Sequence, residues 1–155
     1  MVHLLPPGAT RPLPWLILAF ALCVITCRPS EPEPSLSGTW NLSHFQDASG
    51  AWVSPPPPQM QDQPIVLSCT DNGRKGHFIA RTLTNQLTGE YSYTASGSLE
   101  ITHFEATYLG DAQWAIYFRE ALPTAHRFEL TGDTLRIFYG DEDLYMHFQR
   151  GNLRR

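Results

Sequence analysis

One stretch of this chain repeats its apolar residues with a helical period. It is Asp111–Leu122, D-A-Q-W-A-I-Y-F-R-E-A-L. Trp114, Tyr117, Phe118, Ala121 and Leu122 fall at i, i+3, i+4, i+7 and i+8, one face of an α-helix. Asp111 is placed to cap its N-terminus and Pro123 to stop it. Beyond the N-terminal segment, everything else alternates with a period of two. The expected fold is therefore mainly β (α+β): about eight antiparallel strands forming a strongly bent sheet or small barrel, with one helix (about residues 111–122) packed on it. Closing such a sheet also removes exposed edges.

The expected strands run in order. Gly38–Phe45 places Trp40, Leu42 and His44 on one face. Pro64–Cys69 carries Ile65, Leu67 and Cys69 on one side. Asp71-Asn72-Gly73, with Gly76, supplies turn chemistry. His77–Thr82 returns with Phe78 and Ala80 inward. Leu83–Thr88 reads as irregular. Gly89–Thr94 has Tyr91 and Tyr93 on one face, and Ala95-Ser96-Gly97 turns the chain. Ser98–Phe104 points Leu99 and Ile101 inward. Three close-set strands come after the helix. They carry His126, Phe128 and Leu130, then Leu135, Ile137 and Tyr139, then Leu144, Met146 and Phe148. Thr131-Gly132-Asp133 and Gly140–Asp143 are the turns between them.

Proline sets the layout. Of 13 prolines, 11 lie before Gln59, so a proline-poor body succeeds a proline-rich leader and one proline-rich loop. Four consecutive prolines, Pro55–Pro58, cannot sit in a sheet and make Gln46–Gln63 either a long surface loop or a peptide-like ligand for some partner, the loop being the better fit.

The N-terminus reads as an address. Trp15–Thr26 is twelve residues without a charge, about 18 Å of helix, short of the roughly 30 Å hydrocarbon core. A signal peptide over residues 1–26 fits better than a transmembrane span. Val24-Ile25-Thr26-Cys27 resembles the lipobox of bacterial lipoproteins. That resemblance implies cleavage before Cys27, diacylglyceryl modification of its thiol, and a membrane anchor there. Residues 27–35 then form the lipidated cysteine and an extended tether. Pro29 at the +2 position, by the rule known for enteric bacteria, implies the outer membrane, facing the periplasm.

Only Arg11 is lost with the leader, leaving 10 basic against 15 acidic residues. That acidic balance argues against nucleic acid as a partner. Cys23 is discarded and Cys27 carries lipid, so Cys69 remains alone and should be a buried, inert strand residue. Residues 150–155 are a basic tail.

No catalytic set, cofactor or metal site is expected. His44, His103 and His126 share the inward parity of their strands, and three inward histidines converging on a metal are the one arrangement to look for. Asp141-Glu142-Asp143 reads as a solvated turn. Glu105 and Glu120 have nothing that places them within catalytic distance. The aromatic set Trp40, Tyr91, Tyr93, Trp114, Tyr117, Phe118 and Phe128 reads mostly as core.

The order of these elements resembles the META domain of bacterial envelope lipoproteins over roughly residues 36–149. Leu36–Leu42, with Gly38 and Trp40, resembles the family's opening G-x-W strand. Asn85-Gln86-Leu87-Thr88-Gly89-Glu90-Tyr91 resembles its N-x-x-x-G-x-Y motif, giving Asn85, Gly89 and Tyr91. Leu99–Thr107 resembles the strand that ends in a threonine, Thr107. Phe128–Ile137 resembles a hairpin turning at Gly132. Many members carry a Gly-Cys pair just before the asparagine and a second cysteine after the threonine. Here Leu83-Thr84 and Asp111 stand near those places, which is consistent with a lost disulfide. The resemblance implies a structural role for these residues and a general link to envelope stress and secretion.

The expected function is that of a lipid-anchored envelope protein, binding or supporting envelope partners without catalysis. The rival is a lipocalin-like carrier of a small hydrophobic ligand, since Gly38-Thr39-Trp40 is also how lipocalins open. Two features separate them. A lipocalin places its helix after all its strands, and it keeps an open interior.

Overall fold

The computed structural model describes residues 34–47, 49, 51–54, 65–140 and 144–151. The expected signal peptide, Cys27 and the expected tether up to residue 33, Pro55–Pro58, Asp141–Asp143 and the last four residues of the tail lie outside the described residues. So do the side chains of Trp52–Ser54.

Nine strands and one α-helix are described: β1 Gly38–Gln46, β2 Trp52–Ser54, β3 Val66–Asp71, β4 Lys75–Arg81, β5 Gln86–Tyr93, β6 Leu99–Ala106, α1 Gln113–Ala121, β7 Ala125–Thr131, β8 Thr134–Tyr139 and β9 Leu144–Arg150. Eight of them form one antiparallel sheet in the order β6-β5-β4-β3-β1-β9-β8-β7, and β2 pairs with β1 alone. Apart from this appendix and the step from β6 to β7 across α1, each strand pairs with its neighbour in sequence, and the first long strand pairs with the last. The sheet thus curls into a nearly closed barrel whose seam lies between β6 and β7. Two contacts stitch that seam, a bridge from Ser98 to Arg127 and the Phe128 N–H donating to Gly97 O at 2.8 Å. Gly97 has φ +91°, and a Cβ there would lie 2.7 Å from Phe128 O. Only glycine suits this approach.

The strand assignments differ from the expected ones in three ways. β5 begins at Gln86, so half of Leu83–Thr88 is strand. β6 runs on to Ala106. The loop after β1 contributes β2. Each change adds ladder hydrogen bonds where side-chain alternation gave no signal.

Helix α1 is shorter than 111–122, and its N-cap is Ala112. Asp111 does not supply a side-chain cap because its carboxylate is drawn across to Thr82 and Asn85. Pro123 sits inside a 3-10 turn, Leu122–Thr124, that carries the chain into β7. The apolar face is as expected. Trp114, Ala115, Phe118 and Ala121 are buried. Trp114 and Tyr117 meet Phe45 edge-on at 5.6 and 4.7 Å, and Phe118 meets Phe148 at 6.4 Å. The helix therefore rests on one end of the barrel, where β1 and β8 finish. Three strands still come after it, which is not lipocalin order. Among the described residues, no helix is long and apolar enough to cross a membrane.

The interior is filled. Trp40, Phe45, Phe118, Phe148, Leu67, Leu87, Leu135 and Met146 are essentially inaccessible. The internal space bounded by Leu67, Phe78, Tyr91, Leu122 and Ile137 amounts to about 20 Å³, little more than one water.

Candidate functional site

Parity misplaces the three histidines, and the cause is the same each time. A β-bulge adds one residue to a strand and moves the residues beyond it to the other face. In β1, Leu42 pairs with Phe148 and His44 with His147, leaving Ser43 without a partner. Phe45 takes the interior and His44 turns outward. In β6, Tyr91 pairs with Ile101 and Glu90 with His103, skipping Thr102. Phe104 packs inward and His103 is exposed, beside Glu105 at 3.2 Å. In β7, Ala125 pairs with Tyr139 and Arg127 with Phe138, so His126 is itself the bulged residue and is exposed. The histidines therefore do not converge. Among the described residues, no group of three or more His, Cys, Asp or Glu side chains is placed to hold a metal.

Turning His44 outward builds an arrangement the sequence did not announce. His44, His147, Arg136 and Glu129 are successive register partners across β1, β9, β8 and β7. The two imidazoles stack at 4.5 Å with 12° between planes. Arg136 lies 3.6 Å from Glu129, and Arg127 binds the other carboxylate oxygen. One acid thus serves two guanidiniums. His147 Nδ1 is buried with no hydrogen-bond partner among the described residues. Burial, then His44, then Arg136 hold its pKa below the ordinary imidazole value. Beside this row lies an open groove of about 210 Å³ between Glu129, Thr131, Thr134, Arg136 and His147. His147, Arg136 and Glu129 all had outward parity in the sequence. Only the bulge at Ser43 concealed the fourth member.

The motif residues have structural work. Asn85 is the one buried polar residue in the described core, 4% exposed. Its amide donates to Thr84 Oγ1 (3.1 Å), Leu109 O (3.0 Å) and Asp111 Oδ2 (2.9 Å). Its carbonyl oxygen accepts from Thr107 Oγ1 (2.9 Å) and Leu109 N (2.8 Å). Thr84 Oγ1 also donates to Gly110 O at 2.8 Å. The turn before β5 is thereby stitched to the loop before α1. These are the two segments that the family resemblance would join by a disulfide, and here hydrogen bonds join them.

Gly89 is fixed by close approach. A Cβ there would lie 2.3 Å from His103 O and 2.5 Å from the Phe78 ring. Tyr91 belongs to a second polar knot, at the opposite end of the barrel from α1. Its hydroxyl donates to Asp71 Oδ2 (3.1 Å), and that of Tyr93 to Oδ1 (2.8 Å). Ser35 Oγ donates to Oδ1 at 3.0 Å. Burial works to raise the Asp71 carboxyl, but Gly73 N–H and the hydroxyls of Tyr93, Ser35 and Ser37 outweigh it and hold it below the usual value. In the sequence Asp71 stood out only as a turn former. Cys69, paired in register with Gly38, is buried and unpaired. Burial pushes its thiol up to about 12. Trp40 is fully buried, donates to Leu36 O at 2.8 Å and lies under Arg150. Gly132 occupies the β7–β8 turn, away from both knots.

No family model matches the chain, and no curated protein matches it. Solved structures do. A protein from Burkholderia xenovorans solved by NMR aligns over 83% of this chain and 99% of its own, at 18% identity and a TM-score of 0.57. A DUF4847 family protein from Bacteroides vulgatus aligns over 74% of this chain and 93% of its own, at 14% identity and a TM-score of 0.55. At these identities the likeness concerns the fold alone.

Proposed function

We propose that this protein is a lipid-anchored component of a bacterial envelope. In this reading its META-like barrel binds or supports other envelope components without catalysis. Cys27 carries the lipid, and the outer membrane facing the periplasm is its place. The observation that carries the reading is Val24-Ile25-Thr26-Cys27 directly ahead of a proline-rich tether and a barrel whose core is packed with large side chains. A module of that form works from its outer surface. The two polar knots support the META-like reading, since Asn85 with Thr107 and Tyr91 with Asp71 give the motif positions a shared purpose. The chemistry of the ionisable groups supports a non-catalytic role. The Cys69 thiol is held protonated and the Glu129 carboxylate is committed to two arginines.

The lipocalin-like alternative has the barrel closure in its favour. Its interior would have to open well beyond about 20 Å³ to take a ligand. Membrane fractionation of a bacterial host fed labelled palmitate separates the readings. Label and protein should travel together in the outer-membrane fraction for the wild type, and Cys27→Ala should lose the label. A soluble, unlabelled wild type would overturn the anchor.

A further inference from the structure

The loop before α1 is held more firmly than a surface loop requires. Asn85 binds both the N–H and the carbonyl of Leu109, Thr84 holds Gly110 O, and Thr107 N–H donates to Gln86 O at 3.1 Å. What this scaffold presents to solvent is apolar. Tyr108 is 75% exposed, Leu109 65%, and Leu83 in the adjoining turn 47%. Exposed large side chains on a fixed frame lose little conformational freedom on binding, which is the arrangement of an interaction surface.

We propose that Leu83, Tyr108 and Leu109 form a docking surface for a short apolar peptide segment bearing a carboxylate, carried by another envelope protein. Two observations select that occupant. The first is area. Three side chains exposed to this degree offer on the order of 350 Å², less than half of the roughly 800 Å² per partner of a stable dimer. A second copy is therefore a poor fit and a short segment a good one. The second is charge. The Arg119 guanidinium lies 4.7 Å over the Tyr108 ring, and no carboxylate among the described residues pairs with it. That the carrier is an envelope protein rests on the anchored reading; the area and the charge do not.

The test uses the full-length protein reconstituted into phosphatidylcholine vesicles, with an environment-sensitive fluorophore on Gly110→Cys. A Cβ at Gly110 meets nothing within 4 Å, Cys69 is buried from the label, and the protein without Gly110→Cys, labelled in parallel, gives the signal from Cys23 and Cys27 to subtract. Two dodecapeptides of equal leucine content are titrated, one carrying glutamates and the other lysines at the same positions. The expected result is a saturable response to the glutamate peptide. Affinity should fall about tenfold or more for the lysine peptide, for Leu109→Ser and for Leu83→Ser. An unchanged melting temperature shows that these surface variants are folded. No saturable response to either peptide overturns the proposal. Equal responses to both show that the carboxylate selects nothing and overturn it as well. A response to phosphatidylglycerol vesicles without peptide makes the occupant a bilayer, and a response that grows with protein concentration makes it a second copy. Either of those also overturns the proposal. Failure of the anchor shows separately, as protein that does not float with the vesicles, and the same titration is then run in solution.

Discussion

Replacing Asn85 with alanine should be the most damaging polar change in the barrel. The side chain joins five partners, Thr84, Leu109 N, Leu109 O, Thr107 and Asp111. Each neutral hydrogen bond contributes about 0.5–1.5 kcal/mol net, and one to a carboxylate somewhat more. Thr107 and Leu109 are exposed, so water replaces part of what is lost. The remainder is about 3 kcal/mol, which for a barrel of this size lowers the melting temperature by roughly 10–15 °C. Urea unfolding monitored by the fluorescence of buried Trp40 and Trp114 measures it, with an unchanged slope as the control. Asn85→Asp should be worse than alanine at neutral pH. It removes the donors and sets a second carboxylate against Asp111. Two adjacent carboxylates raise one pKa, so that variant should regain stability as pH falls and the pair takes a proton. A loss below about 1 kcal/mol for Asn85→Ala, or an Asn85→Asp defect that does not shrink in acid, would refute the polar-knot argument.

Other consequences are equally direct. Gly89→Ala should abolish the soluble fold, because the new Cβ meets backbone and the Phe78 ring well inside contact distance, whereas Gly110→Ala should leave the melting temperature unchanged. The folded pKa of His147 is lowered, so below the unfolded value of about 6.5 the unfolded chain binds more protons and stability falls as the solution is acidified. His147→Gln should flatten that dependence, and a ring-proton NMR titration of His147 with a midpoint at or above the ordinary value would contradict it. The Cys69 thiol, pushed up to about 12 by burial, should react with a thiol reagent at pH 8 only at the rate of unfolding, checked by timing the reaction across a urea series.

The sequence revealed most of the architecture and little of the surface. Alternation located eight strands and the helical period located α1, because side-chain burial produces both patterns directly. What alternation cannot carry is a change of parity. Ser43 and Thr102 look like any outward position and His126 like an inward one, yet each marks a bulge that turns its strand over. This single effect moved His44, His103 and His126 from the interior to the surface. It created the His44–His147 stack and left Phe45 and Phe104 inside. The polar knots were hidden for a different reason. Asn85 and Asp71 were legible as a motif residue and a turn former. Apart from Thr84 and Gly73, the partners named lie 22–26 and 20–36 residues away, a separation no local pattern encodes. The filled interior was foreseeable from the size of Trp40, Phe118, Phe128 and Phe148, which leave a small barrel nothing to enclose.

The most direct test of the central claim is the intact mass of the protein made in a bacterial host, with Cys27→Ala alongside. A lipid-anchored envelope protein should lose residues 1–26, gain acyl mass on Cys27, and lose both features in the variant. A wild-type mass that shows cleavage elsewhere with no added acyl group would contradict the account.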